Sequence, residues 1–90
     1  METKVANMEG KNGNRIPNQF CIHANGCKFF QSYESIIIKI DENNNVFLDE
    51  TYYNYSKTAS KYRNMFLRET TKEIEQKIKN GTYKLTNLNK

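Results

Sequence analysis

The chain has 90 residues, with 14 Lys+Arg against 10 Asp+Glu (net charge +4) and 37% apolar and 12% aromatic side chains, which is room for one small domain. No apolar run approaches the ~18–20 residues of a membrane span, and the start Met1-Glu2-Thr3-Lys4 lacks the basic-then-apolar layout of a secretory signal, so a cytoplasmic protein is expected. One His, no Trp, two Asp, two Cys and four Gly leave the usual catalytic stock nearly empty, and neither enzyme activity nor a cofactor is expected. Asn (13), Lys (11) and Ile (8) are abundant while Ala occurs three times. That bias follows A/T-rich codons and suggests a low-GC bacterium or its phage as source.

Residues 1–17 hold two Gly, three Asn and a Pro with no apolar period, and read as a disordered arm. The domain is then 18–90, close to the size where a single core supplies only ~3–5 kcal/mol, which favours a homodimer or an obligate partner.

In Gln19–Ala24, Asn25-Gly26 and Cys27–Gln31, the Asn-Gly pair supplies the two positive-φ residues of a type I′ hairpin turn. This turn pairs Ala24 with Cys27, Ile22 with Phe29 and Phe20 with Gln31. The face Phe20, Ile22, Ala24, Cys27, Phe29 is expected to be the core side, with Cys21, His23, Lys28 and Phe30 on the reverse. A second hairpin follows, Ser35–Ile40 and Val46–Asp49 around the polar loop 41–45, with Ile36, Ile38, Ile40, Val46 and Leu48 on one face.

A helix capped by Ser56 or Thr58 places Ala59, Tyr62 and Phe66 on one stripe and Lys57, Lys61, Asn64 and Arg68 opposite. A second helix starts at the capping box Thr70 to Glu73 and stops at Asn80-Gly81, with Ile74 and Ile78 as its apolar seam. The tail 82–88 alternates only in part, as an edge strand or a segment lying along the helices. The expected fold is α+β: a four-stranded antiparallel meander, then two short helices on one face.

Cys21, His23 and Cys27 lie within seven residues, but the hairpin sends Cys27 to the face opposite the other two. A tetrahedral metal site and a Cys21–Cys27 disulfide are both disfavoured. Cys21 and His23 share a face as a nucleophile and base would, without the orienting group or oxyanion hole such chemistry needs. No phosphate-binding glycine pattern occurs.

Charge is the most informative feature. Residues 1–50 carry five basic and seven acidic side chains (5 − 7 = −2), and residues 51–90 carry nine and three (9 − 3 = +6). Within the second half Tyr52, Tyr53, Tyr55 and Tyr62 gather beside Lys57, Lys61, Arg63 and Arg68. Such a mixture suits a protein or nucleic-acid partner; equally, Tyr62 can be core, Tyr55 a staple before the helix and the lysines a solvated face. Arg63 falls beside the apolar stripe, so it is either paired with a carboxylate such as Asp49 or Glu50 or directed at a ligand. The candidate partner-binding set is Tyr52, Tyr53, Tyr55, Lys57, Lys61, Arg63, Asn64 and Arg68.

The stretches Phe30-Gln31-Ser32-Tyr33, Leu48-Asp49, the block Tyr52 to Leu67 and the closing Leu85-Thr86-Asn87-Leu88-Asn89 resemble a family of small proteins of unassigned function from phages and mobile elements of low-GC bacteria. The resemblance covers about residues 19–89; Tyr53 stands where many members carry Trp, and Ala59 where Thr is common. It implies a non-catalytic accessory protein similar in kind to the anti-CRISPR proteins, binding host defence machinery, with a nucleic-acid-binding regulator as the alternative.

Overall fold

The computed structural model describes residues 3–10 and 13–89. Six strands, β1 (Lys4–Glu9), β2 (Arg15–Ala24), β3 (Cys27–Ser32), β4 (Ser35–Ile40), β5 (Val46–Asp49) and β6 (Tyr83–Thr86), form one sheet in the order of the chain. Helices α1 (Lys57–Leu67) and α2 (Thr71–Lys79) lie between β5 and β6. The first four pairings are antiparallel, whereas β6 returns after the helices and pairs parallel to β5. The architecture is α+β as expected, with six strands in place of four.

The two extra strands come from different places. β1 falls within the stretch read as a disordered arm, and the sheet therefore starts at Lys4 rather than at residue 18. Lys4, Val5, Ala6 and Asn7 pair with His23, Ile22, Cys21 and Phe20, then the register breaks before Glu9 meets Arg15. Pro17 and Asn18 (φ 63) sit inside that irregularity, where no ladder bond is asked of the proline nitrogen. β6 is the alternating tail, now an edge strand.

The Asn25-Gly26 turn has φ of 54 and 80, both positive as a type I′ turn requires, and the register Ala24–Cys27, Ile22–Phe29, Phe20–Gln31 is the expected one. The buried face is the opposite of the expected one. Phe30 is fully buried and stacks on Phe66 of α1 at 5.7 Å, and Cys21 packs against the core, whereas Phe20, Ile22, Ala24, Cys27 and Phe29 face away from the helices. Both faces of this hairpin carry apolar side chains, and the choice is made by the next strand. Phe30, Ile38 and Leu48 stand side by side, and a bulge sets both Ile37 and Ile38 against Phe30. That same bulge turns Ile36 out of the expected Ile38, Ile40, Val46, Leu48 face. The core is completed by Met8, Ile74 and Tyr83, with Tyr62, Phe66, Leu67 and Ile78 against it.

Ser56 caps α1, its hydroxyl accepting from the Ala59 N–H at 3.1 Å. The Thr70–Glu73 capping box opens α2, and Gly81 (φ 84) follows its end. α1 rests on β3 and β4, and α2 against β6, all on the Phe30 side of the sheet.

Candidate partner-binding surface

The loop 50–56, α1 and its C-cap Arg68 carry the eight candidate residues, and Asp49 sets the loop. Its carboxylate, 1% exposed, accepts from the backbone N–H groups of Thr51 (3.0 Å), Tyr52 (2.8 Å) and Leu88 (2.7 Å). Burial pushes its pKa up, but these donors and the Asn89 amide outweigh burial and hold it below the ordinary carboxylate value. The closing Leu88-Asn89 thus ties to Leu48-Asp49. The Asn89 amide also accepts from Ile36 N–H (2.6 Å) and donates to Ile36 C=O (2.9 Å), like one more rung beside β4.

Arg63 neither pairs with Asp49 or Glu50 nor reaches outward. It is 1% exposed, and its guanidinium makes five hydrogen bonds, all to neutral oxygens. Nη1 donates to Tyr53 O (2.6 Å) and Asn54 Oδ1 (3.3 Å), Nε to Asn64 Oδ1 (3.1 Å), and Nη2 to Asn64 Oδ1 (2.9 Å) and Thr71 Oγ1 (3.2 Å). Five N–H groups make five bonds, so no donor is left for a ligand. Burial pushes its pKa below the ordinary guanidinium value, opposed by Tyr53 and Glu75. Arg63 is an internal clamp between the loop and the start of α2, and Asn64, which also donates to Thr71 Oγ1 at 2.9 Å, belongs to the same clamp.

The tyrosines divide. Tyr52 and Tyr53 are half-buried against the core, as is Tyr62, while Tyr55 is 44% exposed and meets Tyr52 edge-on at 5.3 Å. Lys57, Lys61 and Arg68 are exposed and fall within about 40° of one another around the helix axis at 100° per residue, opposite buried Ala59. Lys61 Nζ sits 5.3 Å from the Tyr62 ring centroid. No residue of α1 is acidic, and among the described residues the one ion pair is Lys77–Glu69, where Glu69 also accepts from the Tyr83 hydroxyl. The Lys77–Glu69 hydrogen bond raises the Lys77 pKa; burial, then Glu69, raises the Tyr83 pKa. The exposed part of the candidate surface is therefore Tyr55, Lys57, Lys61 and Arg68.

A second basic cluster is not marked by the sequence. Lys4, His23 and Lys28 are directly opposite one another across β1, β2 and β3, on the helix-bearing face and exposed. Lys4 belongs to β1, whose residues show no apolar period to mark a strand. A shallow depression of about 360 Å³ lies over this cluster and the hairpin tip. Cys21 and Cys27 are free thiols on opposite faces, and burial raises the Cys21 pKa. Among the described residues no three His, Cys, Asp or Glu side chains converge as metal ligands do, and no helix is long and apolar enough to cross a membrane.

A family model described as a family of unknown function, DUF8033, matches residues 3–81. The chain belongs to this family. The match runs from β1 to the end of α2 and so takes in the N-terminal strand that the sequence resemblance left out. Neither the curated proteins nor the solved structures give a match to this DUF8033 chain.

Proposed function

We propose that this DUF8033 protein is a small non-catalytic binding module of a phage or mobile element, acting in the bacterial cytoplasm. Tyr55, Lys57, Lys61 and Arg68 dock on an acidic surface of a host defence complex, a CRISPR nuclease in the reading we favour. The observation that supports it is where the cations stand. Lys57 is the first residue of α1 and no acidic side chain lies in that turn, an arrangement against the helix dipole by about 0.3–1 kcal/mol. At the other end Arg68 caps the helix at φ 56, ψ 43, a left-handed conformation costing a side-chain-bearing residue about 1–2 kcal/mol. One exposed basic stripe thus holds a cation against the dipole at its start and a left-handed backbone under Arg68 at its end, which supports a stripe kept for binding.

Lys57→Glu and Arg68→Gly test this together. Lys57→Glu is expected to leave the fold more stable by about 0.5–1 kcal/mol, and Arg68→Gly by less, since relief of the left-handed backbone is partly offset by loss of a cation at the helix C-terminus; both weaken capture of, and inhibition of cleavage by, a reconstituted CRISPR nuclease. Unchanged binding and inhibition in both variants, or none in the parent protein, refutes the reading.

A further inference from the structure

Both helices pack on one side, and among the described residues no helix covers the reverse side of the sheet, where three of the five phenylalanines lie. Phe29, Lys39, Phe47 and Lys84 are directly opposite one another across β3, β4, β5 and β6, so ring and cation alternate along a single row. At ~4.8 Å between strands the two rings are about 10 Å apart with the Lys39 stem between them. Ile22 continues the row on β2, and Phe20 adds a third ring. None of Phe20, Ile22, Phe29 and Phe47 belongs to the core or packs against it, although each is only partly exposed.

We propose that this open face is a platform for single-stranded nucleic acid, with Phe29 and Phe47 stacking on bases and Lys39 and Lys84 meeting the phosphates. Flat rings interleaved with cations suit a chain that is itself alternately ring and anion. A second copy of this protein fits the same face less well. A two-fold, face-to-face pairing buries both copies' lysines in one apolar seam, and the row holds no carboxylate to neutralise them. Of the acids near the rim, Asp49 is buried against backbone N–H groups and Glu42 lies over the Gly26 turn, outside the row. Asp41 accepts from the Asn43 and Asn45 N–H groups and the Asn45 amide, and Glu9 stands opposite Arg15 at the β1 edge. The surface is distinct from the α1 stripe, so the two readings fail separately.

The probes are labelled (dT)15 and (rU)15, with a duplex of equal length as control, titrated by anisotropy. Two phosphate contacts predict a roughly 7-fold loss of affinity between 50 and 200 mM salt. Lys39→Gln with Lys84→Gln flattens that dependence, and Phe29→Leu or Phe47→Leu weakens binding about 10-fold. Substituting Lys57, Lys61 and Arg68 by Gln changes it less than about threefold. If a Phe variant fails to fold by circular dichroism, the lysine pair decides. The proposal is overturned by absence of saturable binding at 50 mM salt, by equal affinity for the duplex, by indifference to all four substitutions, or by light scattering that shows a dimer dissolved by Phe29→Leu or Phe47→Leu.

Discussion

Replacing Arg63 by Met gives the sharpest test of how the loop 50–56 is held. The substitution keeps an unbranched stem, removes five hydrogen bonds and removes a buried cation that has no carboxylate partner. Of the acceptors left behind, the side chains of Asn54 and Thr71 belong to exposed residues and can turn to water. The Tyr53 carbonyl and Asn64 Oδ1 belong to residues that are only partly exposed. Each orphaned group costs about 1–3 kcal/mol, and relief of the guanidinium's desolvation offsets part of the total. The expected net loss is about 2–4 kcal/mol, against roughly 5–13 kcal/mol for a whole domain of this size. In thermal terms the midpoint should fall by about 10–25 °C. Urea titration followed by circular dichroism measures the difference directly, with Arg63→Lys alongside. Lysine keeps the charge with three donors on one atom, and should not restore the clamp. A Met variant within about 0.5 kcal/mol of the parent, or more stable than it, would show that desolvation outweighs the bonds and that the loop is held by Tyr52 and Tyr53 packing instead.

Asp49 makes stability depend on acid. Its folded pKa is depressed below 3.8, so its contribution is complete above the unfolded value and is lost as pH falls through the lower folded one. In Asp49→Ala, that part of the acid-induced loss below about pH 4 should vanish, at a cost near neutrality of about 2–4 kcal/mol for the three N–H groups left without an acceptor; an unaltered stability-versus-pH curve would contradict it. Asn89→Ala removes both bonds to Ile36 and should cost about 1–2 kcal/mol, read as faster amide exchange at Ile36; unchanged exchange there argues that the tail is only loosely seated. Thr70→Ala opens the capping box and should cost about 1 kcal/mol, with Glu73→Gln costing less, both measured by urea denaturation.

Much of this fold is legible in the chain where the chemistry is local. The Asn25-Gly26 dipeptide sets a turn and with it six residue pairs, and Thr70 with Glu73 marks the start of α2. Legibility ends where two answers are locally equivalent. Phe29 and Phe30 both suit a buried strand position, and only the Ile37 bulge and Phe66 of α1 decide between them. β1 pairs with residues 6–19 positions further on, through a broken register that no periodicity announces. In the candidate surface, the exposed Lys57, Lys61 and Arg68 follow from helical spacing alone. The seat of Arg63 does not, because its shortest bond is to a backbone oxygen, that of Tyr53, and every residue has one.

The parallel pairing of β5 with β6 gives the order of synthesis a physical meaning. β1 to β5 can zip up as they leave the ribosome, since each meets its neighbour through a connection of a few residues. The outer edge of β5 then waits for the 33 residues 50–82 before its partner exists, about 2–7 s at ordinary elongation rates. During that interval a nearly complete sheet presents an unpaired apolar rim, the kind of template on which nascent chains associate wrongly. β6, emerging after the helices, seals that rim.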